Sequence, residues 1–222
     1  MPAPLRLLAL EAGGERISAA LFDGPALIGS AFVEAKQRQT EQMAPLVQGL
    51  LAEHGWSGAS LSAIAAGRGP GSFTGLRSSL ALGQGLALGN SARLVGVDTL
   101  AVWAQASGRE KLAVALDGRR GQAYFGRFAK SPQGWSAHEA PRLMELAEAW
   151  ALAQGWPLLS DLEAPFERLK PPQGAELAVA VGQLAWERWQ GRAGAPFDWE
   201  PLYLRRAEVE ILWEKLHPKA GS

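Results

Sequence analysis

Two stretches of this 222-residue chain follow one plan: an apolar strand, an acid, a glycine turn and a second strand. In LALEAGGERISAALF, Leu10-Glu11 precedes Gly13-Gly14 and a strand ending in Leu21-Phe22. In KLAVALDGRRGQAYFGRF, Leu116-Asp117 precedes another glycine turn and a strand ending in Arg127-Phe128. The offset, 106 residues, is close to half the chain. A hairpin duplicated at that spacing restricts the chain to two related units in tandem. The boundary is expected near residues 107–110, giving an N-terminal unit, 1–108, and a smaller, divergent C-terminal unit, 109–222.

The first unit reads clearly. Strands are predicted at 5–11, 16–24 and 26–34, joined by turns too short for anything but an antiparallel meander. In TEQMAPLVQGLLAEHG the apolar residues Met43, Leu46, Val47, Leu50 and Leu51 fall on one helical face. Pro45 should kink the first turns of that helix or delay its regular part, and Gly55 ends it. A short buried strand at 61–67, a helix at 72–89 and a strand at 92–97 follow, with Asp98 or Thr99 capping a helix from Leu100. The order βββαβα predicts a mixed sheet covered by helices. The second unit is less regular: a helix at 142–154, a short strand at 157–161, a helix at 175–190, then PLYLR at 201–205 and a charged tail.

The segment GRGPGSFTGLRSSLALGQGLALG (67–89) decides between two kinds of function. A P-loop needs GxxxxGK[ST], and here Leu76-Arg77 stands where Lys-Ser/Thr belongs. A dinucleotide fingerprint needs a third glycine where Thr74 stands. A glycine turn entering a helix can still hold an anion on its amides. On a helical wheel, however, Gly75, Ser79, Gly83 and Ala87 form one small ridge, flanked by Leu76, Leu80, Leu82 and Leu86. Glycine inside a helix costs about 1 kcal/mol relative to alanine, so Gly75, Gly83 and Gly85 need a reason. Close approach of another backbone supplies one. The neighbour is either the chain's own sheet or a protein partner, and ligand contact is the lesser reading.

Composition removes other classes. Lysine plus arginine equals aspartate plus glutamate, 22 each, so no net charge draws the chain to nucleic acid or membrane. With no cysteine there is no disulfide, thiolate zinc site or cysteine nucleophile. His54, His138 and His217 sit in separate elements without metal-ligand spacing, and no GxSxG elbow is present. The opening MPAPLRLLALEAGG reads as a strand and not a leader, and no apolar run reaches membrane-spanning length. A cytoplasmic protein is expected. The nine tryptophans read as core or surface anchors, without the basic interleaving of a base-stacking platform.

Duplicated βββαβα units with strand–acid–glycine hairpins resemble the superfamily of actin, sugar kinases and heat-shock ATPases (ASKHA, ribonuclease-H-like), in which the two hairpins hold nucleotide phosphates. Here the first hairpin, Glu11-Ala-Gly-Gly-Glu15, has no hydroxyl and carries a second carboxylate that would repel phosphate. The second, Asp117-Gly-Arg-Arg-Gly121, offers two guanidiniums. Candidate anion or nucleotide contacts are therefore Gly13, Gly14, Gly71, Ser72, Arg119 and Arg120, with weak nucleotide binding at most.

GRGPGSFTGLRSSLALGQGLALG with the following LVGVDTLAVWA, the opening LALEAGGERISAALF, LDGRRGQAYF and the late PLYLR closely resemble the bacterial TsaB (YeaZ) family. The resemblance implies a duplicated actin-like fold with a reduced second unit, and a role in making threonylcarbamoyladenosine beside the anticodon of tRNAs reading ANN codons. It implies a non-catalytic subunit that binds the catalytic subunit TsaD, bridges to the ATPase TsaE, forms homodimers when alone and meets tRNA only through the complex. No metal, membrane or cofactor is implied, and nothing supports the peptidase label once attached to relatives. The implied partner surface is formed by the first two helices, with Gly75, Ser79, Leu82, Gly83, Leu86, Ala87, Met43, Leu46 and Leu50 as candidates. Two departures stand out. Family members commonly carry Asp-Thr-Ser where this chain has Glu11-Ala12-Gly13, and often His-Ser-Glu where it has Gln39-Thr40-Glu41. Both weaken nucleotide or metal binding. The alternative class is a small ATPase or kinase of the same superfamily, and a third is a stand-alone homodimeric binding module.

Overall fold

The computed structural model describes residues 5–35, 38–132, 134–191 and 198–204. The meander forms as expected: β1 (Arg6–Glu11), β2 (Arg16–Asp23) and β3 (Ala26–Glu34) pair antiparallel, with Glu11 opposite Ser18. α1 (Gln39–Glu53) returns the chain to β4 (Ala63–Gly67), parallel to β1. α2 (Phe73–Leu88) then leads to β5 (Arg93–Val97), parallel to β4. The sheet order is β3-β2-β1-β4-β5. β1 is apolar throughout because both its faces are covered. Leu8 and Leu10 meet α1 and α2, while Leu7 and Ala9 meet a helix from the far end of the chain.

α3 (Thr99–Ala106) joins the two units and packs Leu100, Trp103 and Ala104 against the second sheet. That sheet is built on the antiparallel pair β6 (Lys111–Arg119) and β7 (Gln122–Ser131). Its third strand is broken. β8 (Gly134–Ala137) pairs with one end of β7 and β9 (Arg142–Glu145) with the other. Pro141, without an amide hydrogen, stands immediately before the second piece. α4 (Leu146–Ala153) and β10 (Leu158–Ser160), parallel to β6, complete βββαβ. The unit has no counterparts of α2 and β5 among the described residues, so it has fewer elements than the first.

Three expectations are corrected. The helix predicted from 142 starts at Leu146, because residues 142–145 are drawn into the ladder of β7, where Met144 is buried. Of the two outcomes expected at Pro45, the delay does not occur: α1 begins at Gln39 and runs through Pro45, which lies on the exposed side. Asp98 occupies the N-cap of α3 without capping, since its carboxylate binds the Arg68 guanidinium at 2.6 Å. The helix predicted at 175–190 forms as α5 (Glu176–Gly191), but it lies on the first sheet, placing Ala178, Val181, Leu184 and Ala185 against Ala9, Ala20 and Phe22. Gly182 admits the Phe22 ring where a Cβ would collide with it.

Candidate functional site: the glycine turn and its helix

β1 ends in Glu11, which is fully buried. One carboxylate oxygen, Oε1, accepts a 2.6 Å hydrogen bond from Gly13 N–H; Oε2 has no hydrogen-bond partner among the described residues. Burial pushes its pKa from 4.5 up to about 7, the Gly13 and Ala12 amides pulling the other way. The last residue of β4 is glycine for a steric reason: a Cβ on Gly67 would run into Oε2.

The turn after β4 is clamped onto this hairpin. Ser72 N–H donates to Gly13 O at 2.7 Å. A Cβ on Gly71 would lie 2.7 Å from the same oxygen, and one on Gly75 would strike Ala12 O. Gly69 N–H donates to Thr99 Oγ1 at 3.1 Å, and Thr99 N–H to Gly69 O at 2.8 Å. Ser72 Oγ accepts from Gly75 N–H at 3.2 Å and caps α2. The glycines thus let one backbone lie against another, and the amides of Gly69, Ser72 and Gly75 are engaged inside the protein. Of the candidate anion contacts here, Gly13 donates to Glu11 and accepts from Ser72, while Gly14 is exposed with its carbonyl accepting from Gln39 Nε2 at 3.3 Å.

The small ridge of α2 points inward. Gly75, Ser79 and Gly83 are buried, and Ser79 Oγ donates to Leu76 O at 3.0 Å. A Cβ on Gly83 would lie 2.6 Å from the ring of Trp199. Met43 and Leu50 are buried, while Leu46, Leu82, Leu86 and Ala87 pack half-buried against the same core. None of the nine candidate interface residues is therefore exposed, and the chain's own sheet is the neighbour of the ridge.

The outward face consists of other residues. On α2 they are Phe73, Thr74, Arg77, Ala81, Gln84, Gly85 and Leu88; on α1 they include Ala44, Gln48, Gly49 and Ala52. A 2.8 Å hydrogen bond between Thr40 Oγ1 and Ser78 Oγ ties the two helices together. Phe73 is 51% and Leu88 89% exposed. Nothing lies within 4 Å of where Cβ atoms of Gly49 and Gly85 would stand. These two, unlike Gly75 and Gly83, have no packing reason inside the chain. That contrast was the signal within the wheel, but it needs the helix's rotation to be read.

In the second hairpin Arg119 (φ 65°) and Arg120 (φ 56°) form the turn itself, in left-handed conformations that a side chain disfavours. Asp117 accepts from Arg119 N–H at 2.7 Å, and its other oxygen pairs with the Arg119 guanidinium at 3.0 Å. Asp161 Oδ1 accepts from Asp117 N–H at 2.9 Å. The residue keeps exposed surface, but its carboxyl is tucked against that amide. Lost hydration first, and the Asp117 charge after it, push its pKa up to about 6. Both carboxylates thus act on the Arg119 guanidinium, which lowers its net attraction for phosphate.

Residues 198–204 were legible only as the PLYLR motif, of which Arg205 lies outside the described residues along with His217. They form a strap across the ends of β4 and β5. Leu202 N–H donates to Arg68 O at 2.7 Å, and Arg68 reaches Asp198 at 3.5 Å. A Cβ on Gly96 would meet Asp198 O. The glycines at 69, 83 and 96 therefore share one neighbour. No helix among the described residues is long and apolar enough to cross a membrane.

A family model described as TsaD, tRNA N6-adenosine threonylcarbamoyltransferase, matches residues 33–180. The tRNA threonylcarbamoyladenosine biosynthesis protein TsaB of Escherichia coli K12 is 31% identical over 97% of this chain and 100% of its own. The protein of that name from Haemophilus influenzae is 28% identical over 96% of this chain and 97% of its own. The solved structure of YeaZ from Pseudomonas aeruginosa superposes with a TM-score of 0.73 at 26% identity, covering 90% of this chain and all of that one.

Proposed function

The chain belongs to the TsaB family of tRNA threonylcarbamoyladenosine biosynthesis proteins, and we propose that in this pathway it is a non-catalytic partner subunit. It binds and supports a TsaD-type catalytic subunit, which transfers threonylcarbamoyl to the adenosine beside the anticodon, and it bridges to a TsaE-type ATPase. Alone it forms homodimers. It works in the cytoplasm and needs no cofactor of its own.

The observation that carries this reading is the outward face of α1 and α2. Small residues at its centre (Ala44, Gly49, Ala81, Gly85) and large apolar ones at its ends (Phe73, Leu88) would let a second pair of helices approach closely. The glycine turn acts mechanically: clamped to the first hairpin, it fixes where α2 begins and hence how the face is presented.

The test is an omission assay with unmodified tRNA, threonine, bicarbonate, ATP and the other three cognate proteins, measuring the modified nucleoside with and without this chain. Product that needs the chain is expected; equal product without it would overturn the reading. Mg-ATP turnover by the lone chain would instead favour the ATPase class. Gly85→Arg, at an open position, should abolish pairing with TsaD and leave circular dichroism unchanged. Gly83→Arg should damage the chain's own core instead.

A further inference from the structure

We propose that the strap at residues 198–204 is a working part of the partner face, Trp199 positioning α2 from beneath and Tyr203 touching the partner directly. The inference rests on the partner-subunit reading above.

Trp199 packs with Ile64 beneath the middle of α2, its ring filling the space that Gly83 leaves. The strap is held in place by the Leu202–Arg68 hydrogen bond and by the closeness of Asp198 to Gly96. Four residues past Trp199 the chain reaches the surface, where the Tyr203 ring lies 5.5 Å from Phe73 and is 49% exposed. On Phe73, at 4.6 Å from its centroid, sits the Arg77 guanidinium. Arg77 has no ion-pair partner among the described residues. Tyr203, Phe73 and Arg77 make one exposed aromatic–cation cluster, continuous with the outward face of α2 at its first turn.

Aromatic and arginine side chains dominate interface energetics, most of all where their geometry is set before binding. Here mutual stacking sets it. The charge on Arg77 selects an occupant with an apolar surface and a carboxylate or helix C-terminus opposite. We assign that occupant to the TsaD-type subunit.

Isothermal titration of the full-length chain with the purified TsaD-type subunit tests this. Tyr203→Ala should weaken binding by about tenfold or more with an unchanged thermal melt. Trp199→Ala should weaken it as well, and adding Gly83→Leu, which refills the space from the helix side, should restore much of the loss. Tyr203→Ala binding within twofold of the unmodified chain would overturn the inference while the partner reading stood, even if Trp199→Ala failed to fold. So would an effect confined to the monomer–dimer equilibrium in sedimentation, which would make a second copy the occupant. No binding by the unmodified chain would remove the partner reading and this inference with it.

Discussion

Glu11→Gln should make this protein more stable at pH 8 than at pH 5 relative to its parent. Glu11 is fully buried, with one oxygen bonded to Gly13 and the other without a hydrogen-bond partner among the described residues, so ionisation places a poorly compensated charge in buried surroundings. No charged neighbour contributes to its shift. The folded-state pKa is raised from 4.5 to about 7, so the folded state holds its proton more tightly than the unfolded chain. The stability this gives is fully present below about pH 4.5 and is lost as pH rises through about 7, levelling off about one unit above. At 1.36 kcal/mol per unit the whole effect is about 3 kcal/mol, of which about 2 to 3 kcal/mol falls between pH 5 and pH 8. Glutamine keeps an acceptor for Gly13 and cannot ionise. Its own cost, an amide placed where Oε2 finds no partner, does not vary with pH. Asp161 titrates in both proteins and cancels. Urea denaturation of parent and variant at pH 5, 6, 7 and 8 gives the difference directly. A difference constant across that range would refute the reasoning and mean that Glu11 reaches water or an unseen cation.

Gly67→Ala should cost at least 3 kcal/mol or abolish folding, since its Cβ would run into Glu11 Oε2; Gly67→Ala with Glu11→Ala, which removes the obstructing carboxylate, should recover soluble protein in an expression assay. Ser72→Ala removes the cap of α2 and should lower stability by about 1 kcal/mol, read as a shift in the urea midpoint. Arg120→Gly relieves a left-handed arginine and should raise the thermal midpoint, with a gain of about 0.5–1 kcal/mol.

Local periodicity carried the first unit well. The three strands of the meander needed only their short runs and turns, and α1 and α2 only their apolar spacing. Where the prediction failed, a distant partner prevailed. Residues 142–145 are joined to a helix in sequence, yet the open end of β7 captures them as strand. α5 follows the second unit in sequence, yet the uncovered face of the first sheet takes it.

The candidate site divides in the same way. That the glycines of α2 at 75, 83 and 85 needed a reason could be read from the chain, because a helix interior does not tolerate them freely; Gly75 and Gly83 find a close neighbour within the chain and Gly85 does not. The absence of a P-loop lysine and the matching segments of the TsaB family could be read as well. A helical wheel gives the angles between residues but no origin for the rotation. That origin came from Ala12, Ile64 and Trp199, residues far from α2 in sequence, which took the ridge of Gly75, Ser79 and Gly83 into the core. Phe73, Arg77, Ala81, Gly85 and Leu88 were thereby left facing out. Sequence determined that α2 must meet another backbone closely; only the tertiary structure decided which side meets its own chain and which is free to meet another.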